Sequence, residues 1–175
     1  MFLAHLPAGY LLTRGLLALP GARTLPDASR QRLLATGLIA SVLPDFDMFY
    51  FYLFSSQQIN HRAFPSHWPI VWLALFTFAA LLLVYKRAHL GHWFNFFLLA
   101  NVQLHLVLDT IVGSIRWLAP FDHTRFTWMH LPRTSGIWFW KSAGNTYALL
   151  ELAIILAAAW LAWQTVTQHR LQKEN

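Results

Sequence analysis

The amino-acid sequence predicts an all-α protein, a polytopic membrane helix bundle of about five helices. Three observations lead there. Of the 175 residues, 57% are hydrophobic and only 11% charged, too few charges to cover the surface of a water-soluble domain of this size. Several stretches run for about 18 or more residues almost without charge, the length that about 30 Å of hydrocarbon demands of a helix. Tryptophans gather at the ends of these stretches, where amphipathic rings collect between lipid and water.

Phe2 to Leu19 forms the first expected span, apolar apart from His5, Thr13 and Arg14. Its opening residues lack the positive n-region of a signal peptide and Arg14 interrupts the apolar run, so the segment is expected to be retained. Leu33 to Phe54 is apolar except for Pro44-Asp45-Phe46-Asp47. Proline inside a helical run kinks or ends it, which predicts a second helix broken at Pro44–Asp47 with its carboxylates at the break. The clearest spans are Trp68 to Tyr85, Trp93 to Leu118 and Thr146 to Trp163, bracketed by Trp68, Trp72, Trp93, Trp117, Trp160 and Trp163. An aromatic loop over about residues 120–145, with Trp128, Trp138 and Trp140, is expected to lie on the membrane surface. No internal repeat is evident, so residues 1–175 are read as a single membrane-embedded domain.

Composition also excludes chemistry. Without cysteine there are no disulfides, thiolate ligands or cysteine nucleophile, and any metal site must use His and carboxylates. The formal charge of +6 comes from basic residues placed singly or in pairs between apolar segments, as in the flanks of membrane spans, so nucleic acid is not an expected partner. Five spans place the termini on opposite faces. Arg14, Arg23, Arg30, Arg32, Lys86, Arg87, Arg170 and Lys173 fall on one face, against Arg62, Arg116, Arg125, Arg133 and Lys141 on the other; the positive-inside rule makes the richer face cytoplasmic.

Asp45, Asp47, Asp109 and Glu151 all lie inside apolar runs. A carboxylate at the centre of a membrane helix costs about 2.5–3.5 kcal/mol on insertion scales, so each needs a partner, a proton or a metal. His105 and Asp109 are four apart, one turn apart on one helix face, and can reach one divalent cation together, with Asn101 as a supporting donor. They can equally be hydrogen-bonded to each other between helices. Asp45 and Asp47 reach a similar depth at the helix break; simple N-capping by Asp45 would explain one carboxylate and leave Asp47 without a role. His61-Arg62 and Ser66-His67 precede the third span, and His5 opens the first, all on the non-cytoplasmic side. Glu151 lies about one turn into the last span and is expected to pair with a His or Arg of this cluster. His89, His92 and His169 fall on the opposite face, where a solvated or headgroup-facing role is sufficient, whereas His123 and His130 are candidate substrate contacts.

These residues occur in an order that resembles the YdjM-like family of inner-membrane-associated proteins regarded as metal-dependent hydrolases. The resemblance rests on Ala4-His5-Leu6, Pro44-Asp45-Phe46-Asp47, His61-Arg62 with Ser66-His67, and His105-Leu106-Val107-Leu108-Asp109 ahead of Gly113 and Pro120, and covers roughly the first 135 residues. Two departures are Met48, where the family commonly has His, and a His61-to-His67 spacing one residue longer than usual. The family is thought to be distantly related to zinc phospholipases C and single-strand-specific zinc nucleases. The resemblance implies a multi-pass protein of the bacterial inner membrane that hydrolyses phosphodiesters with a divalent metal, zinc, as cofactor; the depth of the site favours a lipid substrate arriving through the bilayer over a soluble polymer. His5, Asp45, Asp47, His61, His67, His105 and Asp109 are the expected metal ligands. Asp45, Asp47, Arg62 and Arg116 are the candidate catalytic residues, an arginine holding the phosphate through bidentate contact. The site would face the non-cytoplasmic leaflet. The competing expectation is a non-enzymatic membrane protein, either a divalent-cation carrier or an assembly factor whose polar residues tie helices together. A carrier needs polar residues leading to both faces, whereas these converge on one.

Overall fold

Prolines and glycines mark where the helices start and stop. The computed structural model describes residues 3–54, 61–87, 89–128 and 146–174. Helix α1 (His5–Leu17) ends just ahead of Pro20, which opens the single turn α2 (Pro20–Arg23). Pro26 then leads into α3 (Asp27–Ala40), whose first-turn Asp27 sits favourably at the positive end of the helix dipole. A tight 3-10 turn over Leu43–Phe46, with Pro44 near its start, passes into α4 (Asp47–Phe54). Two further 3-10 turns, His61–Ala63 and Pro65–His67, precede α5 (Pro69–Tyr85), where proline occupies the first helical position and loses no helix hydrogen bond. Helix α6 (His89–Val112) and helix α7 (Thr146–Glu174) complete the chain. No strand occurs among the described residues, so the fold is all-α; an isolated bridge joins Ile115 to Phe126.

The expected break in the second apolar run is present as a 54° bend between α3 and the segment Leu43–Tyr50. Among the described residues, fewer helices than the expected five are long and apolar enough to be full spans. Helix α6 and residues Ala148–Gln168 of α7 are each long and apolar enough to cross hydrocarbon, and the bent pair makes a third if it counts as one span. Helix α5 has 17 residues and α1 has 13, short of the roughly 20 that a bilayer requires. Pro20, Pro69 and the Lys86-Arg87 pair cut these two helices short. At the other extreme α7 runs well past Trp163, because Gln164, Gln168, Arg170, Leu171 and Lys173 are good helix formers in water. Helix α6 starts ahead of Trp93 and stops at Val112 rather than Leu118, with Gly113 just beyond its end. Of the aromatic loop, residues 129–145 lie outside the described residues.

Helix α6 is the hub, packing on α1, α3 and α5, while α7 lies outside against α1. Leu17, Ala22, Leu33 and Phe97 fill one end of the bundle, Ala40, Phe76, Val102 and Leu106 the middle, and Ala4, Ala8 and Leu108 the other end. The outside is apolar too: Phe49, Leu53, Phe78, Leu81, Leu156 and Trp160 are exposed, as befits side chains facing lipid.

Where α1 crosses α3 the backbones come close. Gly9 lies against Ser41, and Gly37 against Thr13, with no room for a Cβ at either glycine. Small residues at such crossings are how membrane helices gain van der Waals contact without a hydrophobic driving force. The Thr13 hydroxyl donates to Asn101 Oδ1 at 3.3 Å, and the Asn101 amide donates to the Phe97 carbonyl at 2.9 Å. Asn101 therefore ties α1 to α6 within the packing; it is not the supporting donor of the His105 site that its spacing suggested. Replacing Gly37 with valine forces these helices apart and should cost about 1–3 kcal/mol, read as a lower unfolding temperature in detergent. A melting curve unchanged from the parent would refute the close crossing.

Candidate metal centre

The bend after α3 supplies the first ligands. With the backbone tightened into a 3-10 turn, the Asp45 amide bonds to the Val42 carbonyl at 3.1 Å. In a continued α-helix it would have taken the Ser41 carbonyl. That carbonyl instead accepts from His105 Nδ1 at 2.8 Å. Because a carbonyl only accepts, the proton is on Nδ1 and His105 Nε2 presents a lone pair; this Nε2 is buried and makes no hydrogen bond. The same turn places Asp45 beside it, with Asp45 Oδ1 3.5 Å from His105 Nε2.

His67 arrives from the turn Pro65–His67, which Pro65 and Pro69 stiffen from either side. The Trp72 indole donates to the Ser66 carbonyl at 2.7 Å and the Trp68 indole to the Ala63 carbonyl at 3.2 Å. Asp47, at the start of α4, accepts from the Ser66 hydroxyl and lies 3.0 Å from His67 Nδ1. A carboxylate behind one ring nitrogen fixes the tautomer and turns the other toward a metal. His67 Nε2 indeed faces Asp45 Oδ1 at 3.5 Å and Asp109 Oδ2 at 3.8 Å. Ser66 had no role in the sequence reading beyond its place before His67. Its hydroxyl is what locks Asp47 in place.

Helix α6 contributes His105 and Asp109, one turn apart, with His105 Nε2 3.9 Å from Asp109 Oδ2. Asp109 has no exposed surface, and Arg62 grips it with Nε on Oδ2 at 2.6 Å and Nη2 on Oδ1 at 3.0 Å. Gly113, one turn further on, makes room for that grip: a Cβ there would lie 2.5 Å from Arg62 Nη1. Asp45, His67, His105 and Asp109 thus bring one ligand atom each to within 4.8 Å of one another, drawn from three separate segments of the chain. The two imidazole nitrogens lie 3.5–3.9 Å from the two carboxylate oxygens, close to the ligand–ligand separation around a tetrahedral ion with bonds of about 2.0–2.2 Å. The donor set and the buried Nε2 of His105 fit a divalent cation.

The remaining candidates fall around this group. His5, the first residue of α1, stacks on His105 with ring centroids 3.9 Å apart and puts Nε2 3.4 Å from Asp109 Oδ1. Asp47 stands behind His67 and is not among the four converging residues. Arg62, expected to hold a phosphate, has its guanidinium on Asp109, since a fully buried carboxylate demands a cation. Arg116 lies past the end of α6, with its Nε buried and making no hydrogen bond. Glu151 is buried as expected of a pairing group, yet its partners are the backbone amides of Leu3 and Ala4 at 2.7 and 3.0 Å, in place of a His or Arg of the cluster. His123 is exposed, edge-on to Trp68. The side chain of His61, and His130 as a whole, lie outside the described residues.

Burial opposes charge on His67, but hydrogen bonds to Asp45 and Asp47, with the charges of Asp47 and Asp109, hold its imidazolium up to about 9. The folded-state value is raised, so the proton is present throughout the neutral range and is lost only above about pH 9. A cation must displace that proton. Divalent-metal affinity should therefore rise by up to about tenfold per pH unit from pH 6 to 9, with one proton released per ion, measured by metal titration in buffers of different ionisation enthalpy. A flat profile would show that His67 is not a ligand.

Comparison with known proteins gives the family. No curated protein and no solved structure matches the chain. The family model for the YdjM inner membrane protein matches residues 1–171, which takes in every residue of the cluster and the outer helix that flanks it. The chain belongs to the YdjM inner membrane protein family.

Proposed function

We propose that this protein is a membrane-embedded, metal-dependent hydrolase that cleaves a phosphodiester bond in a lipid, with a zinc ion held by Asp45, His67, His105 and Asp109. The convergence of four ligand atoms within 4.8 Å, three of them on buried residues, carries this reading. Charge supports it. Arg62 offsets Asp109, whereas Asp45 and Asp47 lie against the imidazole of His67; once that imidazole gives up its proton, the two carboxylate charges left are what one divalent cation cancels in a low-dielectric interior.

A divalent ion at this position supplies water activated near neutral pH and positive charge for phosphate oxygens. The protein's own groups do the rest. Asp47 and the Ser41 carbonyl orient the two imidazoles, and Arg62 keeps Asp109 ionised and in place. Arg116, whose buried Nε makes no hydrogen bond, is the guanidinium left for a phosphate oxygen. The exposed apolar flanks favour a substrate that arrives laterally through the membrane over a soluble polymer.

The decisive measurement is a product-release assay across phospholipid classes, with and without chelator, on the parent and on Asp45→Asn, alongside metal analysis of both. The amide keeps the shape of the carboxylate and loses the charge a ligand needs. Turnover should fall by about 100-fold or more with helicity unchanged, and the parent should carry one divalent ion. Retained turnover in Asp45→Asn would remove Asp45 from the reaction. If no lipid is cleaved and the parent moves a divalent ion across proteoliposomes while Asp45→Asn does not, the protein is a cation carrier instead.

A further inference from the structure

Three of the four carboxylates set in apolar segments belong to the metal centre. The fourth, Glu151, stands on α7, where only 11% of the apolar window is buried, against 50% on α6. Glu151 itself is 6% exposed. A carboxylate on a helix that otherwise faces lipid is costly to keep, and its contacts show what it does. Its Oε1 accepts the backbone N–H of Leu3 at 2.7 Å and of Ala4 at 3.0 Å.

The first amides of a helix have no partner within the helix, and a polar side chain at the N-cap usually satisfies one of them. Helix α1 has Ala4 at that position and no side-chain cap of its own. Glu151, from the far end of the sequence, takes instead the amide of Ala4 at the N-cap and that of Leu3 just ahead of it, with the added attraction of a carboxylate for the positive end of the helix dipole. The residue next to the clamped amides is His5, 3% exposed, stacked on His105 and 3.4 Å from Asp109, with neither ring nitrogen in a hydrogen bond. The imidazole is held only by its stack on His105 and its approach to Asp109, so its place depends also on where the N-terminal end of α1 is held. The other polar tie between the two helices, Arg14 to Thr165 at 3.1 Å, lies about three turns along and cannot fix that end.

We propose that Glu151 is a positioning residue for the metal centre: by clamping the backbone at the N-cap of α1 from the outer helix, it holds His5 against His105 and Asp109. The effect on metal binding rests on the reading under Proposed function, whereas the placement of His5 does not. The geometry separates the contributions of shape and charge. A single oxygen takes both amides, so Glu151→Gln can keep both bonds through its carbonyl, and Glu151→Ala can keep neither.

The test uses the full-length protein in detergent as parent, Glu151→Ala, Glu151→Gln, His5→Ala and the double variant His5→Ala with Glu151→Ala. In chelator-treated protein, carbethoxylation of His5 followed by mass spectrometry should be slow in the parent and in Glu151→Gln and about tenfold faster in Glu151→Ala, the scale of a lost helix cap. Equal protection of His5 in the parent and Glu151→Ala would overturn the proposal, as would Glu151→Gln behaving like the alanine variant. The Gln comparison stands even if Glu151→Ala fails to fold. In a Co²⁺ titration read by visible absorption, Glu151→Ala should bind about tenfold more weakly, with the band shift of His5→Ala. Adding it to His5→Ala should then cost nothing further. Losses that multiply would mean that Glu151 acts on the site by another route and overturn the proposal. Exposure of His5 in Glu151→Ala combined with no Co²⁺ binding by any variant would support the clamp and overturn the metal reading.

Discussion

A carboxylate on the central helix of an apolar bundle has to be neutralised where it stands, and Asp109 stands on α6 with no exposed surface. Bringing an ion into such surroundings costs several kcal/mol even after relaxation, and removing one partner of a buried pair leaves an uncompensated charge. The structure answers with a guanidinium on both oxygens, an imidazole near each, and a glycine one turn away that makes room for the arginine. Arg62 can reach Asp109 only if the turns between α4 and α5 fold back over the end of α6. The two indoles of Trp68 and Trp72, which hold the carbonyls of those turns, belong to the same requirement.

Interruptions in the helices supply the rest of the centre. Had α3 continued through Pro44, the Ser41 carbonyl would be satisfied within the helix and His105 would have no acceptor to orient it. The bend frees that carbonyl and at the same point turns Asp45 inward and Asp47 toward His67. The proline-bounded turn at His67 does the equivalent from the other side. Non-helical backbone is tolerated at membrane depth where protein buries it and its polar groups find partners. Here the partners are the side chains of the site.

Polar residues elsewhere follow the same economy. Thr13 and Asn101 bond to each other between close-packed glycines, and Arg14 meets Thr165 across the outer helix. Large apolar side chains line much of the outside of the bundle, and these buried polar groups tie helices together. An outer helix so little buried gains its hold on the bundle from packing on α1 and from these few bonds.

By itself the sequence determined the all-α membrane class, the break at Pro44–Asp47, and the candidacy of Asp45, His67, His105 and Asp109. Each of these follows from local physics: hydropathy over a helix length, the missing amide of proline, the i to i+4 spacing on α6, and the cost of a charge in an apolar run. Family membership was also legible, because the ordered motifs are themselves sequence. Helix ends were harder to read, since Pro20, Pro69 and Gly113 compete with apolar runs that continue past them, and of five expected spans two or three are long and apolar enough among the described residues. Partner choice was not legible at all. That Arg62 grips Asp109, that Asp47 stands behind His67, that Asn101 serves packing and that Glu151 clamps the start of α1 were decided by the tertiary structure. A hydrogen bond forms only within about 3 Å, and which groups come that close depends on the bend angles and crossing distances of helices far apart in the chain.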